Sequence, residues 1–176
     1  VIFCDVGQGD AALVTYGTTQ MLVDGGPNEK VLSCLSDHMP FWDRKIEVVV
    51  VTHPQEDHFG GLVNVVRRFE VGVFAHPDVP GTAAGWKVLK EEIAHRTVPE
   101  KTVITGDTIR FTNIHFDIIN PPAGFESKEL NDYSVVGTLR FGEFDVLLTG
   151  DVTPKVIPLF LDSVREVEVL KVPHHG

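Results

Sequence analysis

The segment Thr52-His53-Pro54-Gln55-Glu56-Asp57-His58-Phe59-Gly60-Gly61 concentrates chemistry. Imidazole and carboxylate are the ligands that a Lewis-acidic divalent cation takes. Two histidines and an aspartate so close together, wrapping one helix start, can converge on one centre, and the glycines behind them allow close backbone approach. The competing reading is a solvated polar turn in which Asp57 caps a helix. Three further segments bear on the choice. Asp24 precedes Gly25-Gly26, Asp151 ends the run Leu147-Leu148-Thr149-Gly150-Asp151, and His174-His175 follow an apolar stretch. Singly, an aspartate at a strand end is more often a cap or turn former. Four such placements, each at the C-terminal end of a strand-like run, are explained together by a shared metal pocket.

The elements that must hold these residues alternate between strand and helix patterns. Val1–Val6, Ala11–Tyr16 and Gln20–Asp24 read as strands, and Ile46–Thr52 is the Val-rich run of a strand buried on both faces. Asn28–Met39 places Val31, Leu32, Leu35 and Met39 on one helical face. Leu62, Val65, Val66 and Phe69 do the same after the His53–His58 loop, as do Trp86, Leu89 and Ile93. Val71–Ala75, Lys101–Phe111 and Ile114–Asn120 read as strands, and Tyr133–Phe141 with Glu143–Thr149 as a hairpin about Gly142. Thr153-Pro154 predicts a helix start that Pro158 kinks or shortens, and Val167–Val172 closes as a strand. The pattern predicts an α/β protein, two stacked sheets with helices outside. A metal loop at the end of a buried strand would sit on a rigid support.

The chain has 176 residues, 43% of them hydrophobic, and a formal charge of −10. That suits one domain with a real core and excludes a disordered tail or collagen-like repeat. No apolar run approaches the roughly 18–20 residues of a membrane span. The acid balance argues against a broad basic surface for nucleic acid. It leaves room for a nucleic-acid enzyme whose attraction comes from metal ions. Cys4 and Cys34 fit no zinc knuckle and read as small core residues, which leaves the redox compartment open. The chain opens on Val1 and stops at Gly176, and reads as a piece of something longer.

The set Asp24, His53-x-x-x-Asp57-His58, Asp151 and His174/His175 resembles the metallo-β-lactamase superfamily. The runs Asp5-Val6-Gly7-Gln8-Gly9-Asp10, Asn131-Asp132-Tyr133-Ser134-Val135-Val136 and Lys171-Val172-Pro173-His174-His175-Gly176 are similar to the hydrolase domain of ComEC-type DNA-uptake proteins. The resemblance covers nearly the whole chain. It implies an αββα sandwich of two stacked mixed β-sheets flanked by helices, over residues 1–176. It also implies a one- or two-ion site for zinc or manganese at the sheet edges. His53, Asp57, His58 and Asp151 match the family's ligands, with one of His174 and His175, taken as His174, as the last. Gln55 stands where a second histidine or an aspartate would be, and the superfamily's middle histidine has no counterpart in Asn131–Val136. The position served by His53 is therefore short of donors, and the ion is held most firmly on the Asp57/His58 side.

The implied activity is phosphodiester hydrolysis, with DNA as the expected substrate, through a hydroxide generated on the metal. Asp57 would ligate the ion and orient the nucleophile, and whichever of His174 and His175 is not a ligand would protonate the leaving group. Gln8, Asp10, Asp24 and Gln55 are expected behind the ligands, with Asp24 orienting a histidine through its other ring nitrogen. For Gln8 and Asp10 a tight turn at Gly7 and Gly9 is an equal reading. The alternative function is a non-catalytic module of the same fold, with a degraded metal site, serving a membrane DNA-uptake assembly. Other domains of such a protein are expected partners, and the expected location is a soluble domain tethered to the bacterial cytoplasmic membrane.

Rival motifs fail on context. Gly7-x-Gly9-x-x-Ala12 leads into a strand where a dinucleotide fingerprint needs a helix, and no Gly-x-Ser-x-Gly elbow exists. His38, His76, His95 and His115 lie away from the motif set. Trp42 and Trp86 read as packing residues, and Arg67, Arg68, Lys87 and Lys90 as a solvated helix face.

Overall fold

The computed structural model describes residues 1–175; Gly176, the last residue of the motif beginning at Lys171, lies outside the described residues. Its contacts divide the chain into two compact units, one of Val1–His76 with Pro80–Lys101, the other of Pro77–Val79 and Thr102 onward.

The first unit carries a mixed six-stranded sheet in the order β1-β2-β3-β4-β5-β6. Its strands are β1 (Ile2–Phe3), β2 (Ala12–Tyr16), β3 (Thr19–Val23), β4 (Lys45–Val50), β5 (Glu70–His76) and β6 (Glu100–Thr102). β1, β2 and β3 pair antiparallel. The β3–β4 and β4–β5 pairs are parallel, which sets Val23 beside Val50 and Val50 beside Ala75. The C-terminal ends of β3 and β4 therefore lie side by side, and Asp24 and the His53 loop emerge as neighbours. The helices α1 (Lys30–His38), α2 (Glu56–Phe59), α3 (Leu62–Arg68) and α4 (Ala84–His95) belong to this unit. Val31, Leu35, Leu62, Val65, Val66, Leu89 and Ile93 on the helices form one core with Leu13, Leu22, Val49 and Phe74 of the sheet. Val14, Met21, Val48 and Val50, on the sheet's other face, are buried too, as the unbroken Val-rich run predicts.

The second unit carries a mixed five-stranded sheet in the order β11-β10-β9-β8-β7. These strands are β7 (Thr108–Phe111), β8 (Ile114–Asn120), β9 (Val136–Phe141), β10 (Phe144–Leu148) and β11 (Val169–Leu170). β7 to β10 form an antiparallel meander, and β11 joins β10 in parallel. β8 alternates strictly, with Ile114, Phe116, Ile118 and Asn120 inward.

Several sequence expectations are corrected. Cys4 and Cys34 form a disulfide across a separation of 30 residues, tying the stretch after β1 to α1; neither is a plain core residue. Trp42 is 69% exposed beside an exposed Phe41, whereas Trp86 packs in the core as expected. No α-helix forms at Thr153-Pro154. Short 3-10 turns at Ile157–Leu159 and Leu161–Ser163 take its place, in keeping with a proline that withholds an amide donor inside the stretch. Lys101–Phe111 breaks into β6 and β7, and the strand expected over Val167–Val172 shrinks to β11. Lys90 is no simple solvated cation. It pairs with Glu100 and lies 5.9 Å from the Trp86 ring centre, and burial pulls its pKa below the usual lysine range.

Candidate metal centre

In the first unit, backbone hydrogen bonds lace three loops together. Asp10 N–H donates to Asp57 O (3.2 Å), Gly26 N–H to Asp10 O (2.7 Å), Gly25 N–H to His58 O (2.7 Å) and Gly61 N–H to Gly26 O (2.9 Å). The motif Asp5–Asp10 is thereby fixed against the His53–His58 loop. Two glycines make the approach possible. At Gly9, with φ +127°, a Cβ would lie 2.2 Å from Asp57 O; at Gly61 it would lie 2.1 Å from Gly25 O, well inside van der Waals contact. Gln55 shapes the loop through its main chain. Its N–H donates to His53 O, and its carbonyl accepts from the N–H groups of His58 and Phe59, starting α2.

Within this frame Asp24, Thr52, His53 and His58 form a buried polar cluster. Thr52 N–H donates to Asp24 Oδ1 (2.7 Å) and Thr52 Oγ1–H to Asp24 Oδ2 (2.8 Å). His58 Nδ1 lies 2.8 Å from Asp24 Oδ2, and His53 Nδ1 lies 3.0 Å from Thr52 Oγ1. Since the Thr52 proton is spent on Asp24, its oxygen accepts from His53 Nδ1–H, while Asp24 accepts from His58 Nδ1–H. A neutral imidazole held in this way is protonated on Nδ1 and carries the lone pair on Nε2. The two ring centres are 4.2 Å apart. For His58 this is the tautomer and pairing of a metal-binding histidine backed by a carboxylate, with His53 backed by the Thr52 hydroxyl, and the donor chemistry fits a divalent cation. Burial pushes the Asp24 carboxyl above its ordinary pKa, against the pull of His58 and the Thr52 amide. Asp10 Oδ2 stands 4.0 Å from His58 Nδ1. Half-buried Asp57 and exposed Gln8 line a groove of about 500 Å³ with Asn28, Lys30 and Glu56.

In the second unit, buried Asp151 follows β10. His174 N–H donates to Asp151 Oδ1 (3.2 Å), and Lys171 Nζ stands 3.7 Å from that oxygen. His175 Nε2 lies 3.4 Å from Asp151 Oδ2. His174 and His175 both have left-handed backbones, φ +57° and +67°, a conformation that costs non-glycine residues roughly 1–2 kcal/mol each and clusters at functional sites. The His174 ring turns to Asn131, whose Nδ2 lies 3.0 Å from Nε2. Ser134 Oγ accepts from Asp151 N–H (3.2 Å). Between these two residues buried Asp132 accepts from Ser127 Oγ, Thr153 Oγ1 and Lys155 Nζ.

The structure thus brings His53, His58, Asp24 and Asp10 together in one unit, and Asp151, His174 and His175 together in the other. Thr52, Asn131, Ser134 and Lys171 hold these side chains, and the sequence reading gave none of them a role. For Thr52 a signal existed, a hydroxyl directly before His53. Asn131 and Ser134 stood in a recognised motif whose contacts span the chain.

Residues 4–176 match the family model of the metallo-β-lactamase superfamily. The chain belongs to that superfamily, whose fold of two mixed sheets with flanking helices is the one expected from its motifs. Among curated proteins it is similar to Recombination protein 2 of Haemophilus influenzae, 28% identical over 176 residues, 98% of this chain and 21% of that protein. The chain spans about a fifth of that relative. Among solved structures it resembles the metallo-β-lactamase fold protein YhfI from Bacillus subtilis, with a TM-score of 0.65 and 13% identity over 96% of this chain and 68% of that one. It also resembles the Rm3 metallo-β-lactamase, with a TM-score of 0.64 and 14% identity over 97% and 74%. The fold is that of metal-dependent hydrolases.

Proposed function

We propose that the chain is a metal-dependent phosphodiesterase of the ComEC type, acting on DNA as part of a DNA-uptake protein. The observation that carries this reading is the Asp24–Thr52–His53/His58 cluster, which fixes two buried imidazoles in the metal-binding tautomer. Similarity to Recombination protein 2, a relative named for recombination, supports a nucleic-acid substrate class. His53, Asp57, His58, Asp151 and a histidine of the terminal pair would hold zinc or manganese. A bound divalent cation lowers the pKa of its water and neutralises charge on phosphate oxygens. The protein's own residues do the rest. Asp24 and Thr52 hold the imidazoles, Asp10 places a carboxylate near His58, Asp57 would add a carboxylate ligand from the same loop, and the terminal pair would offer an N–H to a leaving oxygen. No helix of the described residues is long and apolar enough to cross a membrane; tethering to the cytoplasmic membrane would come from other domains of such a protein.

Purified protein loaded with Zn²⁺ or Mn²⁺ should retain at least one ion by mass spectrometry and turn over bis-p-nitrophenyl phosphate. His58→Ala and Asp151→Ala should lose both properties. A protein that retains no ion refutes the reading. Retention with no turnover of any phosphodiester supports instead the non-catalytic module, which Gln55 favours by standing where an imidazole or carboxylate donor is expected.

A further inference from the structure

The motif Asn131–Ser134 is not consumed by the proposed ligand set, yet its side chains reach both ends of the Asp151/His174/His175 group. The contact that decides most is Asn131 Nδ2 to His174 Nε2, 3.0 Å. An amide NH₂ only donates, so His174 Nε2 is the acceptor and its proton sits on Nδ1. From the other side the His174 backbone N–H is bound by Asp151 Oδ1. Ring and main chain are therefore held by two residues distant in sequence, in a left-handed conformation that is costly for a residue with a side chain.

We propose that Asn131 is a positioning residue that commits His174 Nε2 to a hydrogen bond. This leaves His175, whose Nε2 stands by Asp151, as the metal-facing member of the pair, and leaves the His174 proton on Nδ1. Asn131 is then the donor that selects which terminal histidine binds. The tautomer needs no metal; the ligand assignment rests on the reading of the preceding subsection.

Long-range ¹H–¹⁵N spectra of the metal-free protein, above the imidazole titration range, test it. His174 should show a pyrrole-type Nδ1 and a pyridine-type Nε2. In Asn131→Asp, where the new carboxylate only accepts, the pattern should invert; in Asn131→Ala it should relax toward the Nε2-protonated form usual in solution. His38 and His115, remote from the motif, should be unmoved and so report an intact fold. A protonated Nε2 in the parent protein, or a tautomer indifferent to both substitutions, overturns the proposal. Zinc affinity, read by chelator competition, should fall more in His175→Ala than in His174→Ala; equal or reversed losses overturn the ligand assignment. A parent protein that binds no zinc refutes the hydrolase reading, and with it that assignment, while the tautomer result stands on its own.

Discussion

Asp24 Oδ2 lies 2.8 Å from Nδ1 of His58, and both residues are buried. The pair exists because β3 and β4 run parallel and in register, so residues 34 apart in sequence leave the sheet side by side. A carboxylate behind a ligand histidine raises its basicity and fixes its ring, and such partners are worth 10–100-fold in metal affinity (order of magnitude, roughly). Asp24→Ala should therefore weaken zinc binding by about that factor, measured against a chromophoric chelator. Unchanged affinity would show that His58 needs no orienting partner.

Thr52→Val keeps the shape of the side chain and removes the hydroxyl that joins Asp24 to His53. The loss leaves buried polar atoms short of a bond and should cost about 1–3 kcal/mol, read from urea unfolding of the metal-free protein. Thr52→Ser, which restores the hydroxyl, should recover most of it.

Gly9→Ala forces a Cβ onto Asp57 O in a backbone conformation hostile to L side chains. The loop has to move. We expect destabilisation of at least about 1–3 kcal/mol together with faster amide exchange at Asp10 and Gly26. Gly142→Ala, in an open turn where a Cβ would meet nothing within 4 Å, should cost less and leave those amides protected.

The Cys4–Cys34 disulfide closes a loop with a separation of 30 residues. Chain-entropy arguments give about 3–4 kcal/mol for a loop of that size. Cys4→Ser with Cys34→Ser should lower stability by up to that amount, and reduction of the parent protein should do the same. Free-thiol titration of the unreduced, denatured protein should find none.

Asp132 gives a pH dependence with a definite sign. Burial acts against its ionisation, and hydrogen bonds from Ser127, Thr153 and Lys155, with the Lys155 charge, outweigh it and hold the carboxyl below its ordinary range. A depressed carboxyl contributes stability that is fully present above the unfolded value of about 3.9 and is lost as pH falls through the folded value. Unfolding curves should weaken below about pH 4, and Asp132→Asn should flatten that acid limb while costing about 1–3 kcal/mol at neutral pH.

Much of this was legible in the residues because it is local or periodic. The Ile46–Thr52 run gave β4, the Leu62/Val65/Val66/Phe69 spacing gave α3, and the histidines of one short loop needed no long-range information to stand out. What was missed depends on chain segments meeting. Cys4 meets Cys34 only because β1 runs along the sheet edge while α1 folds back beside it. The Asn131–His174 bond spans 43 residues, and nothing in either segment's pattern signals it. The helix expected at Thr153 failed for a local reason, as Pro158 removes an amide within the stretch. Trp42 was misread because hydrophobic composition says little about which large apolar side chains stay outside.

The lacing of the three loops at the edge of the first sheet carries a consequence for how this chain varies. Main-chain atoms hold the shape, and they are indifferent to side-chain identity except at the glycines. Positions such as Gln55 can therefore exchange one side chain for another while the scaffold around them keeps its geometry. A lineage built on such a frame can gain or shed donors one substitution at a time, and Gln55→His would be a single step along that route.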